Sequence, residues 1–203
     1  MLDKFELFTI LAKESPFDEK SRIYFEKLSL KGLEEMHAYS TDTRLYEYLE
    51  LKPFLSIEET NAYINKLLKR MEGSNGIKTS SYWYIRNKEN NKLVGTAGLL
   101  NLDHERQSIE WGFGIDPNLW GQGFILDIQK ILKEYVFEKL ELNRLYGKTM
   151  ITNKRTINSI EAAGLKNEGI AKDYYCKNGD YIDAWQYAMI KKDYLSQKNI
   201  SKT

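Results

Sequence analysis

The chain has 203 residues, a net charge of +1 from thirty basic and twenty-nine acidic side chains, one cysteine and two histidines. That length suits one domain burying roughly 70% of its unfolded surface, and the balanced charge argues against a broad nucleic-acid footprint. A lone Cys176 excludes an internal disulfide, no metal site is expected with only His37 and His104 beside it, and the lack of an apolar run of about 20 residues or of a leader points to a cytoplasmic protein.

Phe5 to Leu11 is a short apolar run, an added strand or docking arm, broken by Ser15-Pro16-Phe17-Asp18. Arg22 to Leu28 reads as the first core strand. Leu33, Met36 and Tyr39 recur every three residues and predict a short helix; His37 falls in it as a surface or half-buried side chain rather than a ligand. Ser56 and Glu59 form a capping box ahead of a helix whose buried face is Ile64, Leu67, Leu68 and Met71, closed by the turn from Gly73 to Gly76. Tyr82 to Arg86 and Leu93 to Leu100 are two strands joined by a polar turn.

Ser108 to Ile115 alternates strictly, with Ile109, Trp111, Phe113 and Ile115 on one face and Ser108, Glu110, Gly112 and Gly114 on the other. After Asp116-Pro117-Asn118 comes Trp120-Gly121-Gln122-Gly123-Phe124-Ile125, which opens an amphipathic helix running to Leu140. Two glycines in a helix's first turn expose backbone N–H groups at its positive end, an arrangement suited to phosphate oxygens, though also frequent in plain turns. Asn143 to Met150 is a strand and Asn153 to Ala163 a short helix ended by Gly164. Tyr174 and Tyr175 pair with Tyr181 to Ile190 around the turn Lys177-Asn178-Gly179-Asp180, and a frayed polar tail is expected from Ser196.

The order is strand, helices, three strands, helix, strand, helix, two strands. A meander followed by a strand–helix–strand crossover implies an α/β protein with a mixed, mostly antiparallel sheet. The expected organisation is an N-terminal extension over 1–21, one domain over 22–195 and a tail over 196–203.

Ile109-Glu110-Trp111-Gly112-Phe113-Gly114-Ile115-Asp116-Pro117, the glycine turn, Asn153-Lys154-Arg155-Thr156, Gly164-Leu165 and Glu168-Gly169 together resemble the GNAT acetyltransferases, over roughly 22–191. The branch most resembled includes the ribosomal-protein N-terminal acetyltransferases. The resemblance implies acetyl-CoA as co-substrate, its pyrophosphate cradled by Gly121, Gln122, Gly123, Phe124 and Ile125. It also implies a pantetheine arm along Phe113 to Ile115 and cofactor contacts from Thr156 and from Asn153, which equally reads as a helix N-cap. Ile125 stands where the family usually has Gly or Ala, and Leu165 where it usually has Phe.

Acetyl transfer needs a proton acceptor for the amine, a polarised thioester carbonyl and a proton donor for the thiolate. Glu110 matches the family's strand carboxylate and is the candidate base, or else a salt-bridged sheet residue. Many members carry a tyrosine in the short helix as acid; the matching place here is Ile160. Thr156 is then the first candidate, with Tyr174 or Tyr175 behind it, although a first-turn hydroxyl also satisfies backbone groups. Tyr46 to Leu55 corresponds to the acceptor-side segment.

The implied function is acetyl-CoA-dependent N-acetyl transfer, in a ternary complex, to a primary amine: a protein N-terminus, amino sugar, polyamine or aminoglycoside. Glu47, Glu50, Glu58 and Glu59 hint at a cationic acceptor, diluted by Lys52, Lys66 and Lys69. The alternative is a non-catalytic acyl-CoA-binding module. A nucleotide-binding reading lacks the Lys-Ser/Thr of a P-loop. A homodimer through the terminal strands is a further family-based expectation; neither nucleic acid nor membrane is an expected partner.

Overall fold

Strand β2 (Ser81–Asn87) is buried on both faces because its aromatic residues alternate between two cores. Tyr82 and Tyr84 enter one, Trp83 and Ile85 the other. The structure, a computed structural model, describes residues 10, 13–74 and 77–200. It forms a seven-stranded mixed sheet with helices on both faces. The strands are β1 (Ile23–Lys27), β2, β3 (Leu93–Asp103), β4 (Ser108–Ile115), β5 (Arg144–Met150), β6 (Lys166–Lys177) and β7 (Asp180–Ile190), in the spatial order β1-β2-β3-β4-β5-β7-β6. Only β4 and β5 pair in parallel; every other neighbouring pair is antiparallel.

One face carries α1 (Leu33–Ser40) and α2 (Ile57–Glu72), which bury Met36, Tyr39, Ile64 and Leu67 against Tyr82 and Tyr84. Ser56 caps α2 by accepting from the Glu59 N–H, and the Glu59 carboxylate accepts in turn from the Leu55 N–H at 2.7 Å. The opposite face carries α3 (Phe124–Glu134) and α4 (Lys154–Ala162), which seal Ile109, Trp111 and Leu145 beneath Ile128, Ile131, Leu132 and Ile160. The glycine-led helix reaches Leu140 as expected, but its last turn, Tyr135–Lys139, widens to a π turn. The wider turn buries three consecutive side chains, Tyr135, Val136 and Phe137, which a regular helix would spread over most of its circumference.

Two expectations are corrected. The strand expected at Tyr174 and Tyr175 begins at Lys166, because β6 is an edge strand whose largely exposed side chains show no apolar alternation. Where a frayed tail was expected, α5 (Lys191–Ile200) forms; Tyr194 anchors it by stacking on Phe137 with ring centroids 4.9 Å apart, its hydroxyl donating to Glu138. Apart from Ile10, which packs on the α3-side core, the run from Phe5 to Leu11 lies outside the described residues, as do Asn75 and Gly76 of the turn after α2.

Candidate active site

The site begins where the sheet splits. β4 and β5 pair over three positions, from Ser108 with Arg144 to Glu110 with Tyr146, and the pairing stops there. Beyond it, β4 stays with β3 to Ile115 while β5 stays with β7 to Met150, so the sheet opens as a fork. The Trp111 indole fills the crotch: a Cβ on Gly147 would lie 2.7 Å from it, so only glycine lets the strands approach there.

The fork leaves one edge of β4 unpaired. Asp116 N donates to Val94 O at 2.9 Å, and the alternation of an antiparallel ladder then turns the backbone groups of Gly112 and Gly114 to β3 and those of Trp111, Phe113 and Ile115 into the fork. Ile115 O accepts from the Trp120 indole N–H at 3.0 Å. Among the described residues the polar groups of Phe113 have no strand partner, and they suit an extended, amide-bearing ligand.

At the fork's mouth stands the N-terminus of α3. Gly121 and Gly123 have φ of 78° and 79°, a region L side chains rarely adopt, and nothing lies within 4 Å of where a Gly121 Cβ would sit. The Phe124 and Ile125 N–H groups are first-turn donors without intrahelical acceptors. Arg22, just before β1, fixes this turn from behind. It donates to Gln122 O at 2.6 Å and to Asp127 at 2.7 Å, and its guanidinium lies 4.2 Å from the Phe124 ring centroid. Ile125 packs partly against the α3-side core while still lining the cavity.

Fork and turn share one cavity of about 740 Å³. Of the residues singled out from the sequence, Phe113, Ile115, Gly121, Gly123, Phe124, Ile125, Asn153, Thr156 and Tyr175 line it. Gln122 does not; its side chain turns back to donate to Asn118 O. Glu110 lies one residue before the lining starts at Trp111. It shares a sheet face with Gly112 and Gly114 and accepts from the Asn101 side-chain amide at 2.7 Å. Asn153 caps α4 by accepting from the Thr156 N–H at 3.1 Å.

Tyr175 arrives by a wide bulge. Between Ala171 and Tyr175 three residues of β6 face one of β7, with Asp173 at a φ of 49° and its N–H held by Asp183 at 3.0 Å. Burial holds the Tyr175 phenol far above its usual range, aided by the neighbouring Tyr174 and by the charges of Glu110 and Glu50. The end of the β6–β7 hairpin is clamped to the acceptor-side segment: Cys176 N donates to Glu50 at 2.8 Å, and the Lys177 ammonium donates to Tyr46 O at 2.6 Å and to Glu47 O. Glu50 is the glutamate of that segment that lines the cavity; Glu59 is spent on the α2 cap, as is Glu58, whose carboxyl is held low by Ser56.

Among the lining residues to which the sequence reading gave no role are Leu45, Arg44 and Lys148, and Arg155, which it quoted only as part of a motif. Arg155 stacks on Trp120 with 3.6 Å to the ring centroid, and Arg44 is held by Asp42 and by Asn118 at 2.8 Å. The alternation of β5, with Leu145, Gly147 and Thr149 opposite Tyr146 and Lys148, carried the signal for Lys148.

The profile of the acetyltransferase (GNAT) domain matches residues 22–166. The chain belongs to the GNAT acetyltransferase family and is thereby an acyltransferase. It is 26% identical to the uncharacterized N-acetyltransferase p20 of Bacillus licheniformis over 174 residues, 85% of this chain and 95% of that protein. It is 21% identical to the spermidine N(1)-acetyltransferase of Vibrio cholerae, over 84% of this chain and 97% of the relative. Its fold matches RimL, a ribosomal L7/L12 alpha-N-protein acetyltransferase solved with coenzyme A, with a TM-score of 0.75 at 18% identity, covering 87% of this chain and 98% of the other. Among the described residues no helix is long and apolar enough to cross a membrane.

Proposed function

We propose that this protein transfers an acetyl group from acetyl-CoA to the primary amine of an acceptor by direct attack in a ternary complex. The observation that supports it most is the joining, in one cavity, of a glycine turn with free N–H donors and a strand edge with unpaired backbone groups. The first suits a pyrophosphate and the second a pantetheine amide, and a solved GNAT neighbour holds coenzyme A. Acetyl-CoA supplies the activated thioester carbonyl.

In this reading Gly121, Gly123, Phe124 and Ile125 hold the phosphates by their main chain and Phe113 and Ile115 align the arm. Gln122 contributes through the turn's backbone, and Asn153 orients Thr156 at the head of α4. Glu110 takes a proton from the acceptor ammonium, directly or through water, since it stands just outside the cavity wall. The freed nitrogen lone pair forms the new N–C bond as the C–S bond breaks, the departing thiolate takes a proton from a hydroxyl, and the second proton shed by the nitrogen restores that hydroxyl through water. Thr156 and Tyr175 both line the cavity, and Tyr175 stays protonated at neutral pH. The acceptor enters on the Tyr46 to Leu55 side, where Tyr48, Leu49 and Leu51 complete the wall.

The test is thiol release from acetyl-CoA against a panel of amines: polyamines, amino sugars, aminoglycosides, amino acids and peptide N-termini. Turnover with any of them supports the enzyme reading. Coenzyme A binding without turnover across the panel would leave a binding module in its place.

A further inference from the structure

β5 puts one cation on the acceptor side of the fork. Leu145 enters the α3-side core, so the strand's alternation turns Tyr146 and Lys148 to the opposite face, where Glu110 of β4 also points. Lys148 lines the cavity. Its ammonium lies 5.4 Å from the Tyr146 ring centroid and 4.8 Å from that of Tyr174, and among the described residues it makes no ion pair with a carboxylate. Of the other charges in the wall, Arg44 is paired with Asp42 and Glu50 accepts from the Cys176 N–H, while Arg155, like Lys148, lies over an aromatic ring, that of Trp120 beside the glycine turn.

Two features follow. A polyamine needs several carboxylates along its length, and the wall offers Glu50 alone against three cations. Glu110 pairs with Tyr146, and Lys148 lies two residues further along β5, about 7 Å along the strand direction and past the point where the two strands part. Resting on the acetyltransferase reading, we infer that the acceptor is a small amine that also carries a carboxylate. Its amine is directed to Glu110 and its carboxylate to Lys148, whose ammonium lies beside the rings of Tyr146 and Tyr174.

Steady-state rates should be compared for a carboxylate-bearing amine, an uncharged monoamine and spermidine, using wild type, Lys148→Gln and Lys148→Glu. Wild type is expected to favour the carboxylate-bearing amine. Lys148→Gln should raise its KM about tenfold, leave the monoamine and the coenzyme A affinity within about twofold, and Lys148→Glu should turn the preference toward spermidine. Equal KM changes for all three amines, a loss of coenzyme A affinity, or a wild-type preference for spermidine would overturn the inference. Calorimetric binding of an N-acetylated, carboxylate-bearing product to the protein–coenzyme A complex gives a readout independent of turnover. Binding that Lys148→Gln weakens supports the Lys148 contact even if no amine is acetylated; absence of binding to wild type refutes it.

Discussion

The two walls of the cavity are made differently. The α3 wall is mainly backbone: an unpaired edge of β4, a left-handed glycine turn and the first N–H groups of a helix, drawn from one stretch between Trp111 and Ile125. The opposite wall is mainly side chain. It comes from three distant segments, Leu45 to Leu51, Lys148 on β5 and Tyr175 on the β6 bulge, held together by contacts such as Cys176 N to Glu50. A backbone site depends on glycines and local order, whereas a side-chain site depends on the ligand's chemistry.

Substitutions on the two walls should therefore separate kinetically. Glu110→Gln removes the carboxylate proposed as proton acceptor while keeping size and the Asn101 contact, so kcat/KM is expected to fall by about 10² to 10⁴ with coenzyme A affinity unchanged. Measuring both on one preparation checks it; a fall below about threefold would make Glu110 a sheet residue and nothing more.

The smallest effect lies outside both walls. Arg86, buried on β2, donates both terminal nitrogens to Glu35 of α1, at 2.9 and 2.8 Å, and reaches Glu26 as well. The Arg86 hydrogen bonds hold the Glu35 carboxyl below its ordinary 4.5. A carboxyl lowered in the folded state adds stability above its unfolded pKa and loses it as pH falls through the folded one. Melting temperature should thus drop more between about pH 5 and pH 3 in wild type than in Glu35→Gln, with activity at neutral pH the same. Parallel acid limbs would show that the pair adds nothing to stability.

The same contrast governs what the sequence disclosed. The β4 alternation, the glycine turn, the Ser56 and Asn153 caps and the meander were legible because each is a local pattern with a backbone cause. The true start of β6 was not, since an exposed edge strand has no apolar period, and α5 rests on a single buried anchor, Tyr194. Lys148 and Arg44 were hidden for another reason: a charged residue on a half-buried strand or a short turn reads as solvated until the fork shows what it faces. The four glutamates near residue 50 looked like one acidic patch, yet Glu58 and Glu59 serve the cap of α2 and only Glu50 lines the cavity.

The central claim is that the glycine turn and the open β4 edge form a coenzyme A cradle. It is tested most directly by calorimetric titration of wild type and Gly123→Val with acetyl-CoA, coenzyme A and ATP. Valine at a φ of 79° costs about 1–3 kcal/mol of backbone strain and places carbon against the Arg22 guanidinium, whose nearest nitrogen is 3.2 Å from the Cβ position. The account predicts that wild type binds both coenzyme A species and not ATP, and that Gly123→Val, with its circular dichroism unchanged, binds them at least tenfold more weakly. Binding of ATP alone, or of neither coenzyme A species by wild type, would contradict it.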